Sequence, residues 1–238
     1  MIAARAGLLA LSLAALLTAG FAPPAAPPPR AWSLPPTVIP APERTPPANE
    51  IVRDAPTAFY MLALTWAPEA CRGKADDPDL AVQCRANRFG FVLHGLWPDG
   101  AGGRHPRYCG PAPAIAPATV RRHLCMTPSP ESLQHEWAAH GTCGWTSPEA
   151  YFADAQRLWR RLRLPPMPAL TTAGEIRAAF VRANPGVRRD GIYIKTVEDG
   201  RLMDVRLCYD LAWRPAACPG GLGAPDAATV RITPRRPR

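Results

Sequence analysis

The chain has 238 residues, of which 31 are Pro and 18 are Gly, with 47% hydrophobic and 20% charged residues. That apolar content excludes a wholly disordered chain, and the uneven spread of Pro excludes one packed body from end to end. The formal charge of +9 is carried almost entirely by Arg, since Lys74 and Lys195 are the only lysines, so the skew towards Arg is not read as a functional signal.

Arg5 is the only charged residue before Arg30, and Ala6 to Leu17 is an almost unbroken apolar run followed by the small residues Thr18, Ala19 and Gly20. This pattern predicts a secretory signal peptide over 1–22, with an uncleaved membrane anchor as the alternative. Residues 23–56 hold 12 Pro and few large apolar residues, which predicts a disordered or polyproline linker. The ordered body is expected over 57–225, followed by a frayed basic tail over 226–238.

Within the body, Thr57 to Trp66 is a dense apolar run that predicts a buried strand. Phe89 to His94 alternates with period two, setting Phe89, Phe91 and Leu93 on one face and Gly90, Val92 and His94 on the other. Ser147-Pro148-Glu149 predicts a helix start, and Thr172 to Glu175 is a capping-box pattern opening another. Asn184-Pro185-Gly186 ends that second helix. Ile192–Val197 and Leu202–Tyr209, flanking Asp199-Gly200, predict a β-hairpin. Helices and hairpin-joined strands without a βαβ rhythm give the class α+β.

Seven Cys occur, at 71, 84, 109, 125, 143, 208 and 218, and none forms a Cys-x-x-Cys pair. Disulfides in an oxidising compartment fit better than a zinc ribbon or a thioredoxin-like site. The expected location is the periplasm or outside the cell.

Three of the five His lie in two short stretches, His94 to Asp99 and His135 to Cys143. His135 and His140 are five residues apart, so about 140° separates them on a helix. That spacing does not suit a metalloprotease helix, which needs His at i and i+4, and no metal or other cofactor is expected. Glu136 and His140 are the pair that share a face, and His140-Gly141 reads as a helix end with Gly as a left-handed cap. Two imidazoles and a carboxylate, without a Ser or Cys nucleophile motif, fit in-line displacement at phosphorus with one His as base and the other as acid.

The segments His94-Gly95-Leu96-Trp97-Pro98 and His135-Glu136-Trp137-x-x-His140-Gly141-Thr142-Cys143 resemble, in order, the two active-site segments of the ribonuclease T2 family. These are secreted or periplasmic endoribonucleases with little base preference. The resemblance covers roughly 57–221. It implies an α+β fold with a central antiparallel sheet, packed helices and disulfides. It implies metal-independent cleavage of single-stranded RNA, without action on DNA, by a monomer with no stable membrane association after signal cleavage. By the same resemblance His140 matches the general base, His94 the general acid, and Glu136 the carboxylate supporting the charged transition state. His135 matches a phosphate contact, Trp97 a stacking platform for a base, and Asp99 a base contact.

The resemblance also implies the pairs Cys71–Cys84, Cys109–Cys143 and Cys208–Cys218. Cys125 is then left over, or it replaces Cys109 as the partner of Cys143. Ala139 stands where the family usually has Lys. Restoring that cation by Ala139→Lys is expected to raise kcat, and the alternative function is a weakened member that binds RNA. Over 57–225 there are 20 basic and 15 acidic residues, a balance of +5 that attracts RNA phosphates.

Overall fold

The computed structural model describes residues 32–42 and 45–235. The expected signal peptide lies outside them, as do residues 23–31 of the expected linker and the last three of the tail. In chain order the strands are β1 (Phe59–Trp66), β2 (Phe91–Asp99), β3 (Leu170–Thr172), β4 (Ile192–Thr196), β5 (Leu202–Tyr209) and β6 (Thr229–Arg231). Four of them build an antiparallel sheet in the order β2-β1-β5-β4, and β3 pairs separately with β6. The helices are α1 (Ala67–Ala70), α2 (Pro117–His123), α3 (Pro130–Ala139), α4 (Pro148–Arg161) and α5 (Ala173–Ala183).

Strand alternation divides the sheet into two chemical faces. Leu62 and Leu64 of β1 lie in register with Leu96 and Leu93 of β2 and with Leu207 and Val205 of β5, and all six are buried. This is the core face. The intervening residues Met61, Ala63 and Thr65 of β1 pair with Trp97, Gly95 and Val92 of β2, and with Cys208, Arg206 and Asp204 of β5. This second face carries the polar groups.

The register of β1 against β2 slips at one point. Ala63 pairs with Gly95 but Leu64 pairs with Leu93, so His94 is the extra residue of a β-bulge. Unbroken alternation would have placed Leu96 with Val92 and His94. The bulge returns Leu96 to the core side with Leu93 and re-aims His94, a use of bulges common beside active sites.

The helix starts follow their capping residues. Ser129 and Ser147 accept from the backbone N–H of Ser132 and Ala150, and Thr172 with Glu175 completes a reciprocal capping box. On α4 the residues Tyr151, Phe152, Ala155 and Leu158 keep helical spacing and are buried. Three disulfides, Cys71–Cys84, Cys109–Cys143 and Cys208–Cys218, agree with the pairing that the resemblance implies, and Cys125 is free and exposed. The bridge from Cys109 to Cys143 ties the chain beyond β2 to the end of α3, fixing one motif against the other.

Both flanks depart from the sequence expectation. Residues 32–42 and 45–56, expected as disordered linker, lie against the body. Trp32 stacks on Phe89 at 4.3 Å, and Ser33 and Asn87 exchange hydrogen bonds of 2.9 and 3.0 Å. Val38 is buried in the core, and Val52 and Arg107 exchange main-chain hydrogen bonds of 2.9 and 2.7 Å. The prolines suit an extended strap, and Leu34, Val38 and Ile51 pack on the core while Ile39 stays exposed. Average composition hides that placement.

The expected frayed tail is also corrected. Val230 of β6 and Ile232 are buried, and Trp66 donates from its indole N–H to the carbonyl of Thr233 at 2.8 Å. The fully buried guanidinium of Arg177 binds Asp226 and the carbonyls of Ile192, Leu222 and Ala224. A three-residue strand is too short to show period-two alternation in the sequence.

Candidate active site

Helix α3 brings Glu136 and His140 to the same side by their spacing of four residues. Glu136 is almost wholly buried. Its Oε1 lies 3.3 Å from His94 Nε2, and its Oε2 accepts from the Trp97 indole N–H at 2.8 Å and lies 4.0 Å from His140 Nε2. One carboxylate thus faces two imidazoles from two different elements. Gly141, expected as a left-handed cap, is not among the residues with positive φ. It is needed for space, because a β-carbon there would run into the rings of Trp137 and Tyr151.

The electrostatics separate the two imidazoles. Burial disfavours charge on His94, but the charge and hydrogen bond of Glu136, with Asp204 behind, outweigh it and raise the pKa above its ordinary 6.5. For His140 burial wins, helped by Arg107, His135 and His94 against Glu136, and the pKa falls to about 4. His140 Nδ1 is buried without a hydrogen-bond partner, consistent with a neutral ring. For Glu136 burial is overcome by His94, His140 and His135, which bring its pKa down to about 2. Between about pH 4 and pH 6.5 the site therefore holds a carboxylate, with His94 favoured in its charged form and His140 in its neutral form.

The remaining expected residues fall in different places. Trp97 is within the site, but its N–H is committed to Glu136. Its ring stacks with His140 at 5.3 Å and lies under the Arg206 guanidinium at 4.7 Å. Trp97 thus stands between Glu136, His140 and Arg206. Asp99 meets His105, with 3.1 Å between Oδ1 and Nδ1, and burial raises its pKa to about 6 against the pull of His105 and Arg206. His135 stands edge-on to Tyr108 at 6.3 Å and lines a cavity of about 360 Å³ with Pro46, Pro47, Glu50, Arg107 and Tyr108. Among the described residues no group of three or more His, Cys, Asp or Glu is arranged to hold a metal ion.

Sequence reasoning missed five residues. Thr65 and Asp204 stand behind His94, and the Tyr151 hydroxyl accepts from the Leu96 N–H at 3.1 Å. Arg107 acts electrostatically on His140 and Arg206 on His94. Thr65 and Asp204 lie in apolar strands without a motif, so only strand register could have revealed them.

A model of the Ribonuclease T2 family matches residues 57–178. A probable ribonuclease of Haemophilus influenzae is 35% identical over 176 residues, which cover 69% of this chain and 62% of that protein. The chain spans less than two thirds of the length of the first curated relatives it matches, 62% and 64%. Among solved structures, trichomaglin, described as an S-like ribonuclease, superposes with a TM-score of 0.60 at 20% identity, covering 76% of this chain and 99% of that one. The complex of RNase NT with 5'-AMP gives 0.56 at 22% identity, covering 75% and 98%. At such identities the likeness is one of fold.

Proposed function

The chain belongs to the ribonuclease T2 family, and from that premise we propose that it is an endoribonuclease cleaving single-stranded RNA by metal-independent transphosphorylation. The observation that carries this reading is one buried carboxylate, Glu136, set 3.3 Å from His94 Nε2 and 4.0 Å from His140 Nε2, in surroundings that shift the two imidazoles in opposite directions. Neutral His140 takes the proton of the ribose 2′-hydroxyl at Nε2 as the bond from 2′-oxygen to phosphorus forms. The bond from phosphorus to the 5′-oxygen breaks, and His94 delivers its Nε2 proton to that leaving oxygen. The products are a 2′,3′-cyclic phosphate and a free 5′-hydroxyl. One His gains the proton that the other loses.

Glu136 stabilises the imidazolium in either position, and its fixed place between the rings costs no reorganisation during the reaction. Trp97 and Gly95 hold the carboxylate there. The nucleophile is the substrate's own hydroxyl, so the chemistry needs no metal-bound water, and DNA, which lacks that hydroxyl, is not a substrate. Ala139 does not leave the site without positive charge, because Arg107 and Arg206 act on the two imidazoles. This favours catalysis over RNA binding alone.

Three disulfides support residence in an oxidising compartment, the periplasm or outside the cell. No helix among the described residues is long and apolar enough to cross a membrane. The test is incubation of the protein with polymeric RNA and with single-stranded DNA in EDTA, with product ends identified. Cyclic phosphate ends from RNA alone are expected. Cleavage of DNA at a similar rate, or full loss of RNA cleavage in EDTA, would count against the reading.

A further inference from the structure

We infer that Thr65 and Asp204 are positioning residues for His94, fixing Nε2 as the nitrogen that releases the proton. This inference rests on the reading of His94 as general acid. Thr65 on β1 and Asp204 on β5 are register partners, so both side chains stand on the polar face of the sheet. Both are buried. The Thr65 hydroxyl donates to Asp204 Oδ1 at 2.8 Å, and Oδ2 of the same carboxylate accepts from Arg206 Nη2 at 2.8 Å. Thr65 Oγ1 also lies 3.2 Å from His94 Nδ1.

A hydroxyl has one proton to give. Thr65 spends it on a carboxylate, which can only accept. Towards His94 the hydroxyl oxygen is therefore an acceptor, and Nδ1 keeps its proton in both the charged and the neutral ring. The proton that leaves is the one on Nε2, which faces Glu136 Oε1 at 3.3 Å. Without Asp204 the hydroxyl is free to turn and donate to Nδ1, and the neutral ring would then hold its proton on Nε2. Catalytic imidazoles are commonly oriented by what their second nitrogen meets. Here a threonine stands between the imidazole and the carboxylate. The charged groups bearing on His94 are Glu136 from α3 and Asp204 and Arg206 from β5, and Lys74 lines the same cavity.

The test compares Thr65→Val, which removes the hydroxyl at nearly constant volume, with Thr65→Ser, which keeps it. Thr65→Val is expected to lower kcat roughly 10- to 100-fold with a smaller change in KM. Its alkaline limb should move to lower pH, since charged His94 loses an acceptor. Thr65→Ser should recover most of the rate. On the unaltered protein, nitrogen NMR of His94 above its pKa should show the Nδ1–H tautomer. An Nε2–H tautomer, or a folded Thr65→Val with undiminished kcat, overturns the inference. If His94→Ala keeps full activity, the reading of His94 as acid fails instead, and the tautomer still decides whether Thr65 and Asp204 fix the ring.

Discussion

The carboxylate of Glu136 occupies the space that a β-carbon on residue 95 would need. Gly95 follows the bulged His94 on β2, and its missing side chain lets α3 bring a charged group against the strand. The same absent β-carbon leaves room for the Trp97 indole nitrogen. Gly95→Ala should therefore push Glu136 away from both imidazoles. The expected result is a fall in kcat of at least about 100-fold, since a small misplacement of a catalytic group has that scale. Activity on RNA and circular dichroism of the folded protein would check it together. Normal turnover would show that the carboxylate has room elsewhere.

Removal of either imidazole tests the division of labour. His140→Ala and His94→Ala should each lower kcat by roughly 10²–10⁴-fold, the usual contribution of a positioned acid or base. Because the two act in one proton-transfer sequence, the double variant should lose far less than the product of the single losses. Direct measurement of cyclic phosphate formation keeps binding effects out of the comparison. Near-normal turnover in either single variant would remove that residue from the mechanism.

The pH profile follows from the opposed shifts. The proposed mechanism requires His140 neutral and His94 charged. His140 is brought down to about 4, so kcat/KM should rise as pH passes upward through about 4. The pKa of His94 is raised above 6.5, so the midpoint of the alkaline fall should lie above that value. The optimum then lies at weakly acidic pH, between the two limbs. The reverse assignment needs charged His140 beside neutral His94, a state that these environments disfavour on both counts. The two limbs belong to the coupled pair, so separate titration of each ring by NMR is the decisive measurement. An acid limb near 7 would reject the assignment.

The candidate trio of His94, Glu136 and His140 was legible because its motifs are long and because helical spacing alone pairs Glu136 with His140. Strand β1, the Ser147 cap, the Thr172 capping box and the hairpin strands were legible from local patterns. What failed locally depends on distant chain. The bulge at His94 shows only in the pairing of β1 with β2, and the Thr65–Asp204 contact spans 139 positions. Gly141 looked like a cap, but its role comes from packing against Tyr151 of the next helix. Residues 32–56 had the composition of a linker, which says nothing about whether Val38 finds a core.

Ala139 gives the sharpest revision. Its place before His140 suggested that Ala139→Lys would restore a missing cation and raise kcat. The structure puts the Ala139 side chain fully inside the core, with its carbonyl accepting from the Tyr108 N–H at 3.0 Å. A Lys there must overpack the core or carry an unpaired charge into it, each costly by about 1–3 kcal/mol or more. Ala139→Lys is therefore expected to lower the melting temperature without raising kcat. Positive charge has to come from another element. Arg206 is committed to Asp204 through Nε and Nη2. Arg107 is the better placed for phosphate. It depresses the pKa of His140, its Nε is buried without a partner, and its Nη2 pairs at 3.0 Å with Glu50, a carboxylate exposed enough to yield to an incoming anion. Arg107→Gln should cut kcat by roughly 10²–10³-fold if it supports the transition-state charge. Removing that cation should also raise the pKa of His140, moving the acid limb upward from about 4. An upward shift of the limb with unchanged kcat would leave Arg107 as an electrostatic neighbour of His140 and nothing more.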